Sequence, residues 1–143
     1  MRRQIILEII YGLLILLFVY TAISKLIDLN NFKNTLTDIP MLETLSGLLK
    51  WLIPGTELLI AAALYTSRYR KAGLYVALIL MSVFTFYIGF LLLFRSQDLP
   101  CSCGGVLKQM TWKQHLFFNI FFIILPATGL YLEYSKPKKR ELL

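Results

Sequence analysis

Four apolar runs, each close to twenty residues long, constrain the fold of this chain more than any other feature. They cover about Ile5–Leu26, Leu48–Tyr65, Ala72–Phe94 and His115–Leu132. A helix of about 20 apolar residues crosses the roughly 30 Å hydrocarbon core of a bilayer. Only helices and closed barrels satisfy their own backbone hydrogen bonds there. The sequence therefore predicts an all-α, polytopic membrane protein, folded as a four-helix bundle in a lipid bilayer.

The charged residues make up 16% of the chain, below the roughly 25% of soluble domains. The net charge of +7 could suggest a nucleic-acid partner, but the basic residues cluster at the ends of the apolar runs, so none is expected. Nine of the 15 fall on one side of the predicted membrane: Arg2, Arg3, Arg68, Arg70, Lys71, Lys136, Lys138, Lys139 and Arg140. Because basic residues favour the cytoplasmic side, we expect a multi-pass protein of the bacterial inner membrane with both termini in the cytoplasm.

The chain is predicted to form one membrane domain over residues 1–135, followed by a basic cytoplasmic tail over residues 136–143. The first outer loop contains two sets of apolar residues at helical spacing: Leu29, Phe32 and Leu36, then Leu42, Leu45 and Leu49. Pro40 suits the first turn of a helix. This pattern predicts short interfacial helices in the loop, the second of them running into the second span.

Cys101 and Cys103 are the two cysteines of the chain, and they lie between the third and fourth spans, on the predicted extracytoplasmic side. Disulfides persist outside the cytoplasm. A disulfide across one intervening residue needs a tight turn, which Gly104 and Gly105 permit. Such a small ring gains little chain-entropy stabilisation and is easily reduced. The pattern favours a redox pair, while a static disulfide and inert thiols stay open. A metal site is disfavoured, because the two cysteines and His115 would supply three ligands and no fourth suggests itself nearby.

His115 is the single histidine, and it follows the cysteines at the start of the fourth span. Trp112, His115 and Asn119 share one helical face. An imidazole near a thiol can accept its proton, so His115 is a candidate catalytic residue. The alternative is an interfacial histidine that is hydrogen-bonded to a lipid headgroup or to Asn119.

Glu57 is the most costly residue for a membrane-embedded helix, because it lies well inside the second span. It needs a partner from another helix, and Lys25, near the outer end of the first span, is the candidate. Pro54 leaves the carbonyl of Lys50 without its helical donor, which favours a polar pocket there. Glu57 and Lys25 are therefore a candidate proton or quinone site. The alternative is a buried pair that only fixes helix register. The sequence requires no cofactor. If the site formed by Glu57 and Lys25 binds one, a quinone is the candidate.

The spans and these motifs resemble the DoxX-like superfamily. The similarity rests on the segments around Tyr20–Leu26 and Pro54–Glu57. The Pro100–Gly105 segment, followed by Trp112, His115 and Asn119, is similar to the MauE branch. The resemblance covers about residues 1–134. It implies a redox-associated membrane protein that acts with an exported thioredoxin-like partner in the maturation of exported proteins.

The chain departs from the four-helix thiol oxidases of the DsbB and VKOR types, which have two cysteine pairs. One pair cannot relay electrons between two internal disulfides, so this chain must exchange directly with its partners. We expect thiol–disulfide exchange through Cys101 and Cys103, an oxidoreductase activity, with a thioredoxin-like protein as partner. Two alternatives stay open: a non-enzymatic scaffold subunit of a larger envelope membrane complex, and a quinone-reactive membrane subunit.

Overall fold

A computed structural model describes residues 2–37, 42–94 and 112–135. These three ranges contain five α-helices, one short 3-10 helix and no strand: α1 (Arg2–Ile27), α2 (Leu29–Thr37), α3 (Ser46–Tyr65), the 3-10 helix (Ser67–Tyr69), α4 (Arg70–Phe94) and α5 (Trp112–Tyr134). Four of the helical segments are long and apolar enough to cross a membrane. The predicted all-α fold with four spans is thus confirmed, whereas the predicted tail over 136–143 lies outside the described residues.

The four long helices pack in a ring, with α1 against α3 and α5, and α4 against α3 and α5. The ring surrounds a core in which Leu14, Leu64, Leu74 and Ala77 are completely buried. Large apolar side chains also cover the outside of the helices; Phe86, for example, is 78% exposed. A surface of this kind is stable in contact with lipid chains and not with water.

The two ends of the bundle are distinguished by which helix ends meet there. At one end, α1 leads into α2, the helices α3 and α5 begin, and α4 ends. We call this the α2 end. At the other, which we call the terminal end, α1 begins, α5 ends, and the 3-10 helix joins α3 to α4. Residues 95–111, which connect α4 to α5 in the sequence, lie outside the described residues.

The first loop contains one of the two expected interfacial helices. α2 is amphipathic: Phe32 and Leu36 are buried, and α2 packs on α3. The prediction of a second helix is wrong for Leu42–Leu45, because these residues form a turn. The reason is local hydrogen bonding, because the amide of Leu45 donates to the carbonyl of Leu42 and the hydroxyl of Ser46 donates to the carbonyl of Glu43. These three-residue bonds close a turn, and α3 begins only at Ser46.

Two glycines allow α4 to approach its neighbours closely. A Cβ atom on Gly73 would lie 3.0 Å from the side chain of Leu64 and 3.2 Å from its backbone nitrogen. A Cβ atom on Gly129 of α5 would lie 3.2 Å from Leu74. Small residues let helix backbones pack tightly in membranes, where dispersion forces hold helices together.

Candidate functional site

A buried ion pair joins α1 to α3 inside the bundle. The Nζ atom of Lys25 donates a hydrogen bond to Oε1 of Glu57 over 2.5 Å. The two side chains are only 7% and 3% exposed, respectively. The pairing expected from the sequence is therefore present, because a charge at this depth requires a partner of opposite sign. Its use as a proton or quinone site stays a prediction.

Lys25 and Glu57 are shielded from outside by α2. The ring of Phe32 lies beneath the Lys25 ammonium group, with 5.7 Å between Nζ and the ring centroid. Thr21, one turn before Lys25, is buried beside Glu57, and its hydroxyl donates to the carbonyl of Phe18 over 3.3 Å. Oε2 of Glu57 is buried and has no hydrogen-bond partner among the residues that the structure describes. The pair thus retains one oxygen that can accept a proton or a hydrogen bond.

His115 and Asn119 are both 4% exposed, although they are polar residues near the start of α5. Their spacing of four residues places them on one face of the helix. That face points into the bundle, so burial leaves His115 almost no surface for a lipid headgroup. His115 also takes part in an interaction within the protein. The structure thus places the imidazole inside the bundle, and its use in proton transfer stays a prediction.

Trp112 begins α5, but its side chain lies outside the described part of the molecule, as do Cys101 and Cys103. The chain connectivity alone relates the cysteines to the site. They belong to residues 95–111, which run from the end of α4 to the start of α5. His115 lies one turn after that start.

A second polar cluster, absent from the predictions above, lies at the terminal end. The hydroxyl of Tyr11 donates to Oε1 of the buried Glu133 over 2.6 Å. The guanidinium group of Arg70 lies 4.6 Å from the centroid of the Tyr11 ring. It donates to both carboxylate oxygens of Glu8, at 2.7 and 3.4 Å, and to the carbonyl of Leu64 at 3.2 Å.

The terminal cluster corrects two interpretations of the sequence. Arg70 was expected only to set membrane orientation, yet it joins α1, α3 and α4. Tyr11 is not among the candidate residues named from the sequence, yet it is 2% exposed and connects α1 to α5. One signal was available: Glu8 and Tyr11 are separated by three residues and lie on one helical face, inside an apolar run. Glu133 had no comparable signal, since it lies close to the end of its span.

Comparison with known proteins gives one match. A family model described as methylamine utilisation protein MauE matches residues 3–132, which is most of the chain. The searches of curated proteins and of solved structures returned no match. The chain belongs to the MauE family, and this membership together with the four apolar helices implies a multi-pass membrane protein of methylamine utilisation.

Proposed function

We propose that this member of the MauE family is a membrane thiol–disulfide exchange protein. In this proposal Cys101 and Cys103 trade a disulfide with a thioredoxin-like protein during the maturation of exported proteins. The observation that carries the proposal is the burial of His115, oriented inside the bundle one turn after the segment that contains both cysteines. An imidazole within reach of a thiol activates it by accepting its proton, and the short sequence distance from Cys103 to the buried His115 supports such a role.

The exchange is balanced without a further reactant. A thiolate of the reduced partner attacks one sulfur of the Cys101–Cys103 disulfide, and the other sulfur leaves as a thiolate. The second thiol of the partner then breaks the mixed disulfide. The partner ends with a disulfide and this chain with two thiols, so two electrons and two protons have moved. Run in reverse, the same steps reduce the partner. His115 donates a proton to the sulfur of this chain that leaves as a thiolate, and in the reverse direction it accepts the proton of the attacking thiol of this chain.

We further propose that the α2 end faces the extracytoplasmic side of the bacterial inner membrane and that both termini face the cytoplasm. Exposed basic residues at the terminal end support this orientation: Arg2, Arg68 and Lys71. The acidic residues nearby do not offset them, because Glu8 is paired with Arg70 and Glu133 is buried. A membrane-impermeant thiol reagent should label the reduced cysteines from the periplasmic side of intact cells. Labelling only after the membrane is opened would contradict this orientation.

Trapping tests the exchange itself. A Cys103→Ser or Cys101→Ser variant loses the resolving thiol, so one of the two should accumulate a mixed disulfide with its partner. Mass spectrometry of the adduct, released by a reductant, identifies the partner. The double variant, Cys101→Ser with Cys103→Ser, is the matched control and should give no adduct. If neither single variant gives an adduct, but the protein still copurifies with an envelope membrane complex, the scaffold alternative is correct.

A second candidate function is quinone reactivity, and one observation favours it. Oε2 of Glu57 is buried without a hydrogen-bond partner in the described ranges, while Lys25 can donate from the same pair. A quinol hydroxyl and a quinone carbonyl would match these two groups. Bound quinone extracted from the purified wild-type protein, and lost from Glu57→Gln but not from Glu8→Gln, would establish this function. Wild-type protein that is free of quinone would exclude it.

A further inference from the structure

Three polar side chains meet on the outside of the seam between α4 and α5, at the terminal end. We call them the seam cluster: Lys71 and Tyr75 on α4, and Tyr134 on α5. The Nζ atom of Lys71 lies over the ring of Tyr134, 5.3 Å from its centroid. The hydroxyl groups of Tyr75 and Tyr134 are hydrogen-bonded to each other, and their rings meet edge to face with centroids 6.5 Å apart. Contacts between two packed helices therefore hold the cluster together.

The seam cluster lies at the depth of the lipid headgroups. Lys71 is in the first turn of α4 and Tyr134 is the last residue of α5, so both stand at the ends of membrane-spanning segments. Tyrosine and lysine side chains at the ends of spans lie at the boundary between hydrocarbon and water. One turn deeper than Tyr75, the surface is apolar, and Ile79 is 62% exposed. A molecule bound here therefore has its polar end at the cluster and its apolar part beside Ile79.

The positive charge of the seam cluster is not neutralised by the described part of the protein. Lys71 is exposed and makes no ion pair within residues 2–37, 42–94 and 112–135. Two carboxylates of the terminal end are already engaged. Glu8 is paired with Arg70, and Glu133 is buried, where it accepts a hydrogen bond from Tyr11. The complementary partner for Lys71 is therefore an anion that comes from outside.

The two tyrosines add a hydrogen-bond donor to this positive charge. A hydroxyl group has one proton and donates one hydrogen bond. When one hydroxyl of the pair donates to the other, the accepting hydroxyl still has its own proton. Whichever tyrosine donates, one proton is thus left for a third group. The seam cluster presents an ammonium group and a phenolic proton side by side.

The spacing of these two donors fits a phosphodiester group. A cation 5.3 Å above the centre of the Tyr134 ring lies about 6 Å from the hydroxyl oxygen of that ring. A phosphodiester accepts one hydrogen bond at each of its two non-bridging oxygens, so it can join donors up to about 8 Å apart. An anionic headgroup suits the site better than a zwitterionic one, whose own ammonium group competes with Lys71 for the phosphate.

We infer that the seam cluster binds the phosphodiester group of an anionic phospholipid, whose acyl chains lie on the apolar surface beside Ile79. The bound headgroup joins Lys71 of α4 to the tyrosine pair, so the lipid links α4 to α5. This site is separate from the thiol exchange proposed above, and neither cysteine takes part in it. Free phosphate shares the chemistry of the headgroup but cannot cover the apolar surface, so the lipid is the occupant.

Native mass spectrometry of the full-length protein, purified in detergent, measures the affinity for single lipid molecules. The wild type should bind phosphatidylglycerol about fivefold more tightly than phosphatidylcholine with the same acyl chains. Lys71→Gln should remove this preference, and Lys71→Arg should keep it. Tyr75→Phe combined with Tyr134→Phe keeps both rings but removes both hydroxyls, and should weaken phosphatidylglycerol binding by about fivefold. Each single phenylalanine variant retains one phenolic proton and should bind almost like the wild type.

Two other cations that lie over aromatic rings are the matched controls. Arg68 lies over Tyr69 at the same end of the bundle, and Lys50 lies over Trp51 at the opposite end. Arg68→Gln and Lys50→Gln should leave the affinity for phosphatidylglycerol unchanged. An equal loss in Arg68→Gln and Lys71→Gln would assign the effect to the general positive charge of this end, and overturn the site.

Two further results would also overturn the inference: equal affinity of the wild type for both lipids, and unchanged affinity for phosphatidylglycerol in Lys71→Gln. Inorganic phosphate separates the two sources of a phosphate group. Added in excess, it should not displace bound phosphatidylglycerol, because it gains nothing from the apolar surface. Displacement would identify a site for free anions and contradict the assignment to a lipid.

Discussion

Removing Lys25 from the buried ion pair should destabilise the protein far more than removing the pair altogether. Two unit charges 2.5 Å apart attract by about 7 kcal/mol at an effective dielectric constant of about 20. Burial costs several kcal/mol per ion, so most of this attraction offsets desolvation. Lys25→Met removes the attraction but leaves the Glu57 carboxylate buried. We expect the free energy of unfolding to fall by about 3–5 kcal/mol.

Replacing both partners should restore most of the loss. Lys25→Met combined with Glu57→Leu removes the attraction and both desolvation costs, and leaves two apolar side chains in an apolar interior. The double variant should be at least as stable as the wild type, to within about 1 kcal/mol. The coupling between the two substitutions is then about 3 kcal/mol or more, which is typical of residues in direct contact.

The assay is unfolding by SDS in mixed micelles, followed by the loss of helical circular dichroism. Glu8→Gln is the matched control, since the Glu8–Arg70 pair has similar chemistry but its carboxylate is 62% exposed. Exposed pairs contribute about 1 kcal/mol or less, so this variant should unfold almost like the wild type. A loss below about 1 kcal/mol for Lys25→Met, or a double variant no more stable than the single, would refute the argument from burial.

Two further predictions concern the packing of the helices. Gly73→Ala should lower the free energy of unfolding by about 1–3 kcal/mol in the same assay, because its Cβ would lie 3.2 Å from the backbone nitrogen of Leu64. Gly12→Ala, with nothing within 4 Å, should instead be neutral or slightly stabilising, and equal effects would contradict the close approach. Tyr11→Phe should cost about 1–3 kcal/mol by leaving Glu133 without this buried hydrogen bond. An unchanged unfolding transition would show that the bond does not contribute.

Much of the architecture could be predicted from local sequence. The four spans follow from the length of the apolar runs, and α2 follows from the helical spacing of Leu29, Phe32 and Leu36. The pairing of Lys25 with Glu57 was also predictable, because a charge inside a membrane helix must find a partner. The turn at Leu42–Leu45 was not predictable from spacing, because a short helix competes there with three-residue hydrogen bonds that terminate it.

The sequence by itself determined how many helices cross the membrane, which residues share a face of each helix, and which charge had to be paired. The tertiary structure alone decided which helices are neighbours and how far each is displaced along its axis. That displacement brings Lys25 to Glu57, and Glu133 to the hydroxyl of Tyr11. The physical reason is that periodicity describes the direction of a side chain around one helix, whereas axial register results from packing contacts between helices distant in sequence.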